Sequence, residues 1–275
     1  MKKKNALVTL LLLFCTILLI LLLVVIFSLI RVFNIKDEKK VETRKIIEKN
    51  YNIDKISTIT FDFKRANVVI KSSDDKELVV TQNTKEEKFY LNENISSSTI
   101  GFEEDSYIFD GKTKKYIVKV PKDYKGNLYI INGFGEISVL NIKNIFTIEN
   151  NSGGVNVYKC ENVNIKDVSG DLYLDGITGN TVISTSTGNI TLSNVKGTID
   201  LDTLTGNIIV NNFKIEGDSE IENISGNVGI TVNKESECNI IYSNESGTTK
   251  INKKICKDKK NILEVKNVTG NININ

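Results

Sequence analysis

The sequence predicts an all-β protein: a β-solenoid (β-helix) of about eight coils with two short strands per coil, preceded by a β-rich N-terminal cap region and one N-terminal transmembrane helix. Three observations carry that prediction. A Ser/Thr-Gly-Asn/Asp turn recurs through the second half of the chain, as in "DTLTGNIIVNN" at 202–212. Large apolar residues hold a spacing of two on either side of each turn. One uncharged apolar run, long enough to span a bilayer, lies near the start.

Taken in order, residues 1–5 are read as a cytoplasmic tail and 6–30, ALVTLLLLFCTILLILLLVVIFSLI, as a transmembrane anchor. As a helix rising about 1.5 Å per residue, this run would reach about 37 Å, against roughly 30 Å of hydrocarbon. It exceeds the roughly 7–15 apolar residues of a signal peptide, and no small-x-small cleavage site follows it. Cys15 comes after the bulky Phe14, which argues against lipoprotein processing. Charge leaves sidedness open: Lys2, Lys3 and Lys4 precede the run, while Arg31, Lys36, Lys39, Lys40, Arg44 and Lys45 follow it. Residues 31–53 are charged and lightly amphipathic, reading as a stalk or short helix.

From 54 to 125 the chain becomes a β region with alternating runs such as "STITFDFKRANVVIKSS" and "KELVVTQN". The solenoid repeats occupy 126–275. Their turn glycines are Gly135, Gly153, Gly170, Gly188, Gly206, Gly226, Gly247 and Gly270, at intervals of 18, 17, 18, 18, 20, 21 and 23 residues. Five residues before the glycine stand Ile130, Ile148, Ile165, Ile183, Leu201, Ile221, Tyr242 and Val265. The positions two and four after it are aliphatic throughout, except Thr249. Spacing by two on both sides is strand alternation with one face buried, and a period near 18 suits one solenoid coil. A single coil cannot cover its own apolar face; coils stacked about 4.8 Å apart can. Each buried Val, Leu or Ile then contributes roughly 1.5–3 kcal/mol.

The corner residues follow from the same geometry. Glycine takes positive φ without steric cost, and an adjacent Asn or Asp hydrogen-bonds locally. Ser152, Ser169, Thr187, Thr205, Ser225, Ser246 and Thr269 precede the glycines; Asn132, Asn150, Asp167, Thr185, Thr203, Asn223, Asn244 and Asn267 lie two further back. Alternation turns both sets inward, where they are expected to form hydrogen-bonded ladders up the stack, the rival reading being a row of ligand contacts; hydroxyl and amide stacks satisfy one another without a guest. Cys160 aligns with Ile177, Val195 and Phe213 as a small core residue. The final strand "NVTGNININ" ends at Asn275, so the C-terminal coil is read as a solenoid end, blunted by its asparagines or open to self-association.

Chemistry is sparse. The chain has no histidine and no tryptophan, which removes the usual neutral-pH base and a common metal ligand. There is no phosphate loop or nucleophile elbow, and no catalytic, cofactor-binding or metal site is assigned. Setting aside Lys2, Lys3, Lys4 and Arg31 leaves 32 basic and 34 acidic residues, a balance that gives no support to nucleic-acid binding. Cys160, Cys238 and Cys256 lack Cys-x-x-Cys spacing; a disulfide between Cys238 and Cys256 stays open. One surface cluster stands out. Asp200 and Asp202 on one coil and Glu220 and Glu222 on the next should face solvent together, as a solvated face, as a site for a cation or a cationic partner, or as an enzymatic acid pair.

The motifs "VSGDLYL", "STGNITL", "LTGNIIV", "ISGNVGI" and "VTGNINI", with "YIVKVPKDYKGNLYI" upstream, resemble a bacterial family of candidate adhesins with β-strand repeats and no known function. The resemblance covers roughly residues 55–275 and weakens in the last coils, where the intervals lengthen and Thr249 replaces an aliphatic residue. It implies an extracytoplasmic solenoid held at the cell membrane, tied to adhesion or envelope stress, and it carries no catalytic residues. The expected function is a non-catalytic cell-surface interaction module whose partners are the membrane and an unidentified protein or cell-envelope polysaccharide. The alternatives are a surface carbohydrate-active enzyme on the same β-helix and a cytoplasm-facing scaffold.

Overall fold

The computed structural model describes residues 45–85, 88–105, 113–252 and 260–275, so the apolar run at 6–30 expected to be an anchor, Cys15 and Cys256 lie outside the described residues. In chain order the strands are β1 (Lys45–Tyr51), β2 (Thr58–Ser73), β3 (Leu78–Thr84), β4 (Leu91–Ile95), β5 (Thr99–Glu104), β6 (Lys114–Pro121), β7 (Asn127–Phe134) and β8 (Ile137–Leu140). Next come β9 (Phe146–Ser152), β10 (Val155–Tyr158), β11 (Glu161–Ser169), β12 (Leu172–Asp175), β13 (Thr178–Thr187), β14 (Ile190–Ser193), β15 (Lys196–Thr205) and β16 (Ile208–Ile215). The last are β17 (Ser219–Ser225), β18 (Val228–Val232), β19 (Asn239–Ser246), β20 (Thr249–Ile251), β21 (Ile262–Thr269) and β22 (Ile272–Ile274). No helix occurs among the described residues. Residues 45–51, expected within a stalk or short helix, form a strand instead: Lys45–Tyr51 pairs antiparallel with β3 and gains its backbone partners there.

Each repeat contributes one strand before the glycine and one after it, and these stack in parallel as two facing sheets. In the first sheet β7, β9, β11, β13, β15 and β17 follow one another in register. In the second, β8, β10, β12, β14, β16 and β18 do the same. Ile183, Leu201 and Ile221 are direct rung partners, and each is at most 1% exposed. The predicted inward positions therefore fuse into one apolar core between the sheets. Cys160 sits in that core, and burial pushes its thiol up to about 11.

The stack reaches further toward the N-terminus than the glycine pattern predicts. β2 runs through a corner, pairing with β7 in the first sheet and with β8 in the second, and its other side pairs with β5 and β6. Two rungs, β5/β6 and β2, thus precede the glycine-bearing ones, and 54–125 is continuous with 126–275. Their core is aromatic: the Phe61 and Phe102 rings stack at 4.9 Å and Phe63 lies 5.1 Å from Tyr116. The reversed strands β4 and β3 then cover this end, one on each sheet.

The C-terminal end differs from expectation. β17 pairs with β21, and β21 with β19; likewise β18 pairs with β22, and β22 with β20. The last coil is inserted between two earlier ones, so "NVTGNININ" is interior and β19/β20 forms the outermost rung. A rung needs only a complementary apolar face above and below it, and chain order does not dictate which. Tyr242, expected in the core, is 47% exposed because its rung has a neighbour on one side only. The premise for self-association through the C-terminal coil fails with this order.

Candidate interaction surface

The eight predicted glycines form one column in the spatial order 135, 153, 170, 188, 206, 226, 270, 247. At Gly206, with φ of +154°, an added Cβ would overlap the carbonyl oxygen of Gly188, so two requirements select glycine: a dihedral closed to other residues and backbone contact between rungs. Ala66 holds the corresponding place in the β2 rung.

The inward polar column is confirmed at the position three before the glycine. Asn132, Asn150, Asp167, Thr185, Thr203, Asn223 and Asn267 are all at most 5% exposed. The continuous ladder is not found. Asn150 Nδ2 and Thr185 Oγ1 both donate to the Asp167 carboxylate, at 2.7 and 3.2 Å, while other amides turn to corner carbonyls, as Asn132 does to the Gly135 oxygen at 3.2 Å. Burial, with these two donors opposing it, holds the Asp167 pKa above the ordinary aspartate value. Asn267 Nδ2 and Oδ1 find no hydrogen-bond partner among the described residues.

The hydroxyls directly before the glycine do not turn inward as predicted. Ser169, Thr187, Thr205 and Thr269 are exposed, because two consecutive residues face out where the chain rounds the corner. Asp167 pairs with Thr185 and Ser169 with Thr187, and the residues between them have no rung partner. The intervening position places exposed apolar side chains on the corner of four rungs: Val168, Leu204, Ile224 and Val268 are 52, 52, 50 and 38% exposed, with Ser186 on the rung between the first two.

The rung-to-rung ladder lies one residue after the glycine, on the outside. Asn189 Oδ1 accepts the backbone N–H and the Nδ2 of Asn207, at 3.2 and 3.1 Å. Asn207 Oδ1 accepts the same two groups of Asn227, at 3.0 and 3.2 Å. The chain continues through the Asn271 and Thr248 N–H groups, at 3.0 Å each. A second external ladder runs along the opposite corner, where Asn194, Asn212 and Asn233 each donate Nδ2 to the rung before, at 2.7, 2.8 and 2.6 Å. There Asn141, Lys159, Asn194 and Asn212 adopt positive φ. The signal for this corner was present six residues after the glycines, where three of those four residues are asparagine.

The four carboxylates of the acidic cluster meet across two rungs, and a cation joins them. Asp200 pairs with Glu220, and Asp202 with Glu222, on the outer face of the first sheet. The inserted last coil places Lys266 beside Glu222. Its ammonium contacts Glu220 and reaches Glu222 at 2.7 Å and Glu264 at 3.4 Å. Hydrogen bonds to Glu220 and Glu222 raise the Lys266 pKa, and the lysine lowers that of Glu220. Asp202 stays outside this pairing; desolvation first, and then Glu222, Asp200 and Glu220, hold its pKa above the ordinary value. The cationic partner is thus largely supplied by the chain, and among the described residues no cluster has the makings of a metal site.

Sequence reading missed Glu104, which is 1% exposed. Its carboxylate accepts the Lys64 and Arg65 backbone N–H groups at 2.7 and 2.8 Å, where β2 bends between sheets, and pairs with Lys114 at 3.0 Å. It fixes the first corner, where no glycine turn exists.

A family profile described as Toastrack DUF4097 matches residues 56–275. The chain belongs to this family. The Toastrack domain accordingly takes in the β2 and β5/β6 rungs along with the glycine repeats. Among solved structures, a candidate cell-adhesion protein of Clostridium sporogenes is 13% identical, with a TM-score of 0.31 over 84% of this chain and 99% of that one. A candidate adhesin of Parabacteroides distasonis is 10% identical, with a TM-score of 0.37 over 84% and 97%. A candidate lipid-binding protein of the same species is 16% identical, with a TM-score of 0.35 over 84% and 94%. No curated protein matches the chain.

Proposed function

We propose that this Toastrack chain is a membrane-anchored, extracytoplasmic interaction module without catalytic activity, displayed at the cell surface as adhesin or envelope-stress component. One observation carries the reading. The recurring residues are consumed in building the stack, and what they leave outside is a rung-periodic surface of amides, hydroxyls and aliphatic side chains. Such a surface suits an extended partner better than a reacting small molecule. The uninterrupted apolar run at 6–30 supports a bilayer anchor. Lys266 holds Glu220 and Glu222 in ion pairs, which leaves only Asp200 and Asp202 of the acidic cluster to the carbohydrate-active enzyme reading. The test is topology: protease added to intact protoplasts bearing the full chain is expected to digest the β domain. Complete protection until lysis would overturn the extracytoplasmic reading and favour the cytoplasm-facing scaffold.

A further inference from the structure

We propose that a groove on the outer face of the second sheet binds an uncharged polysaccharide carrying N-acetyl groups; this names a ligand class for the surface module proposed above and rests on that reading. The groove has a volume of about 560 Å³ and crosses β14, β16, β18 and β22. One wall is the external amide ladder of Asn189, Asn207, Asn227 and Asn271; the floor is Gly229, between its rung partners Ile209 and Asn273.

Gly229 is the first argument. Glycine inside a strand destabilises it by roughly 0.5–1 kcal/mol relative to alanine, and it often marks a place where a ligand approaches. Nothing in the fold requires glycine here. Its φ is not positive, and an added Cβ would meet only the Ile208 carbonyl oxygen, at 3.9 Å. What the missing side chain creates is the depression itself.

Charge is the second argument. The chain is 25% charged, yet no acidic or basic residue lines the groove. A charged ligand would lose hydration there with no counter-ion to offset it.

Hydrogen-bond polarity is the third. The Oδ1 atoms of Asn189 and Asn207 each accept two bonds, which fills both lone pairs, while Asn189, Asn207 and Asn227 each spend one of two Nδ2 N–H groups on the preceding rung. The second N–H remains for a ligand. Asn227 Oδ1 accepts only the Asn271 N–H and keeps one lone pair; otherwise the wall presents donors, repeated at about 4.8 Å, and it selects a neutral polymer rich in acceptors. Acetamido carbonyls and sugar hydroxyl oxygens meet that requirement, and the C–H face of a pyranose ring fits the aliphatic floor of Ile209 and Gly229. Tyr173, two rungs from Ile209 in the same outward file and 5.7 Å from the Tyr158 ring, extends the platform with an aromatic face.

The experiment is calorimetric titration of the full chain in mild detergent with chitohexaose, and with its deacetylated counterpart as the control. Binding of the acetylated oligomer and little of the deacetylated one is expected. Gly229→Tyr, which fills the groove from an open Cβ position, should weaken binding roughly tenfold or more, a loss of about 1.4 kcal/mol. Ile209→Glu, at an exposed position on the floor, should do the same and provides a second variant should the first fold poorly. Absence of chitohexaose binding, or wild-type affinity in folded variants, would overturn the proposal. Either result leaves the protoplast experiment untouched, so failure of the groove and failure of the surface module are told apart.

Discussion

Gly206→Ala probes the stacking directly. Gly206 has φ of +154°, and a Cβ there would overlap the Gly188 carbonyl of the adjoining rung. The dihedral alone costs a non-glycine residue on the order of 1–3 kcal/mol. Relieving the overlap means moving one rung from the other, and the corner hydrogen bonds are the contacts that suffer. Gly188 N–H donates to Thr205 O at 3.1 Å and Ile190 N–H to Asn207 O at 2.9 Å, both between these two rungs. Losing or stretching both removes about 0.5–1.5 kcal/mol each. The expected destabilisation is therefore on the order of 2–6 kcal/mol, a large share of the roughly 5–15 kcal/mol typical of a folded domain. Gly229→Ala is the control, since its φ is ordinary and its Cβ position is open. That variant should be neutral or up to about 1 kcal/mol more stable. Urea denaturation of the two variants beside the parent, followed by circular dichroism, reads the difference. If Gly206→Ala unfolds at the same urea concentration as Gly229→Ala, the glycine column does not hold the rungs together as described.

Other substitutions test other parts of the stack. Asn267→Leu replaces a buried amide with neither polar atom bonded, and should be neutral or stabilising by about 1–3 kcal/mol; Asn150→Leu, which breaks bonds to Asp167 and to the Gly153 oxygen, should destabilise. Thermal melts of the pair decide this, and equal shifts would contradict it. The Asp202 pKa is raised in the folded state, so the ionised form costs stability above that pKa, and the cost is relieved as pH falls through it. Asp202→Asn should accordingly stabilise at neutral pH, with the advantage shrinking toward the ordinary aspartate pKa of about 4; a pH series of melting curves showing a constant gap would refute the sign. Glu104→Ala strands Lys114 and two backbone N–H groups in the N-terminal rungs, and should cost about 3–5 kcal/mol in denaturation experiments.

Much of the fold was legible because each rung repeats one physical requirement. Ile183, Leu201 and Ile221 could be assigned inward from spacing alone, and the glycines marked the corners. Rung order was not legible, because an apolar rung face fits any other, and the insertion of β21/β22 satisfies the same pattern as sequential stacking. Hints did exist: Tyr242 and Thr249, less apolar than their counterparts, belong to the outermost rung. The hydroxyls before the glycines were misplaced because strict alternation was carried through a corner where two successive residues face out. The donor wall at Asn189, Asn207 and Asn227 was present in the turn motif itself. Within one repeat it reads as turn chemistry, since a single turn does not reveal that its amide bonds to the next one. Glu104 carried no signal, because a carboxylate at the end of "TIGFEE" is indistinguishable from a solvated one until the bend of β2 is known.

The interleaved stack can be measured with spin labels on one outward file. Ile209, Gly229, Asn273 and Lys250 occupy successive rungs, so Ile209 lies two steps from Asn273 and three from Lys250. At about 4.8 Å per step, backbone separations of about 10 and about 14 Å are predicted. Dipolar broadening between label pairs, in a background free of the native cysteines, should thus be stronger for 209–273 than for 209–250. The reverse order would mean that the coils stack in chain sequence, and negligible broadening in both pairs would mean that these strands do not stack at all.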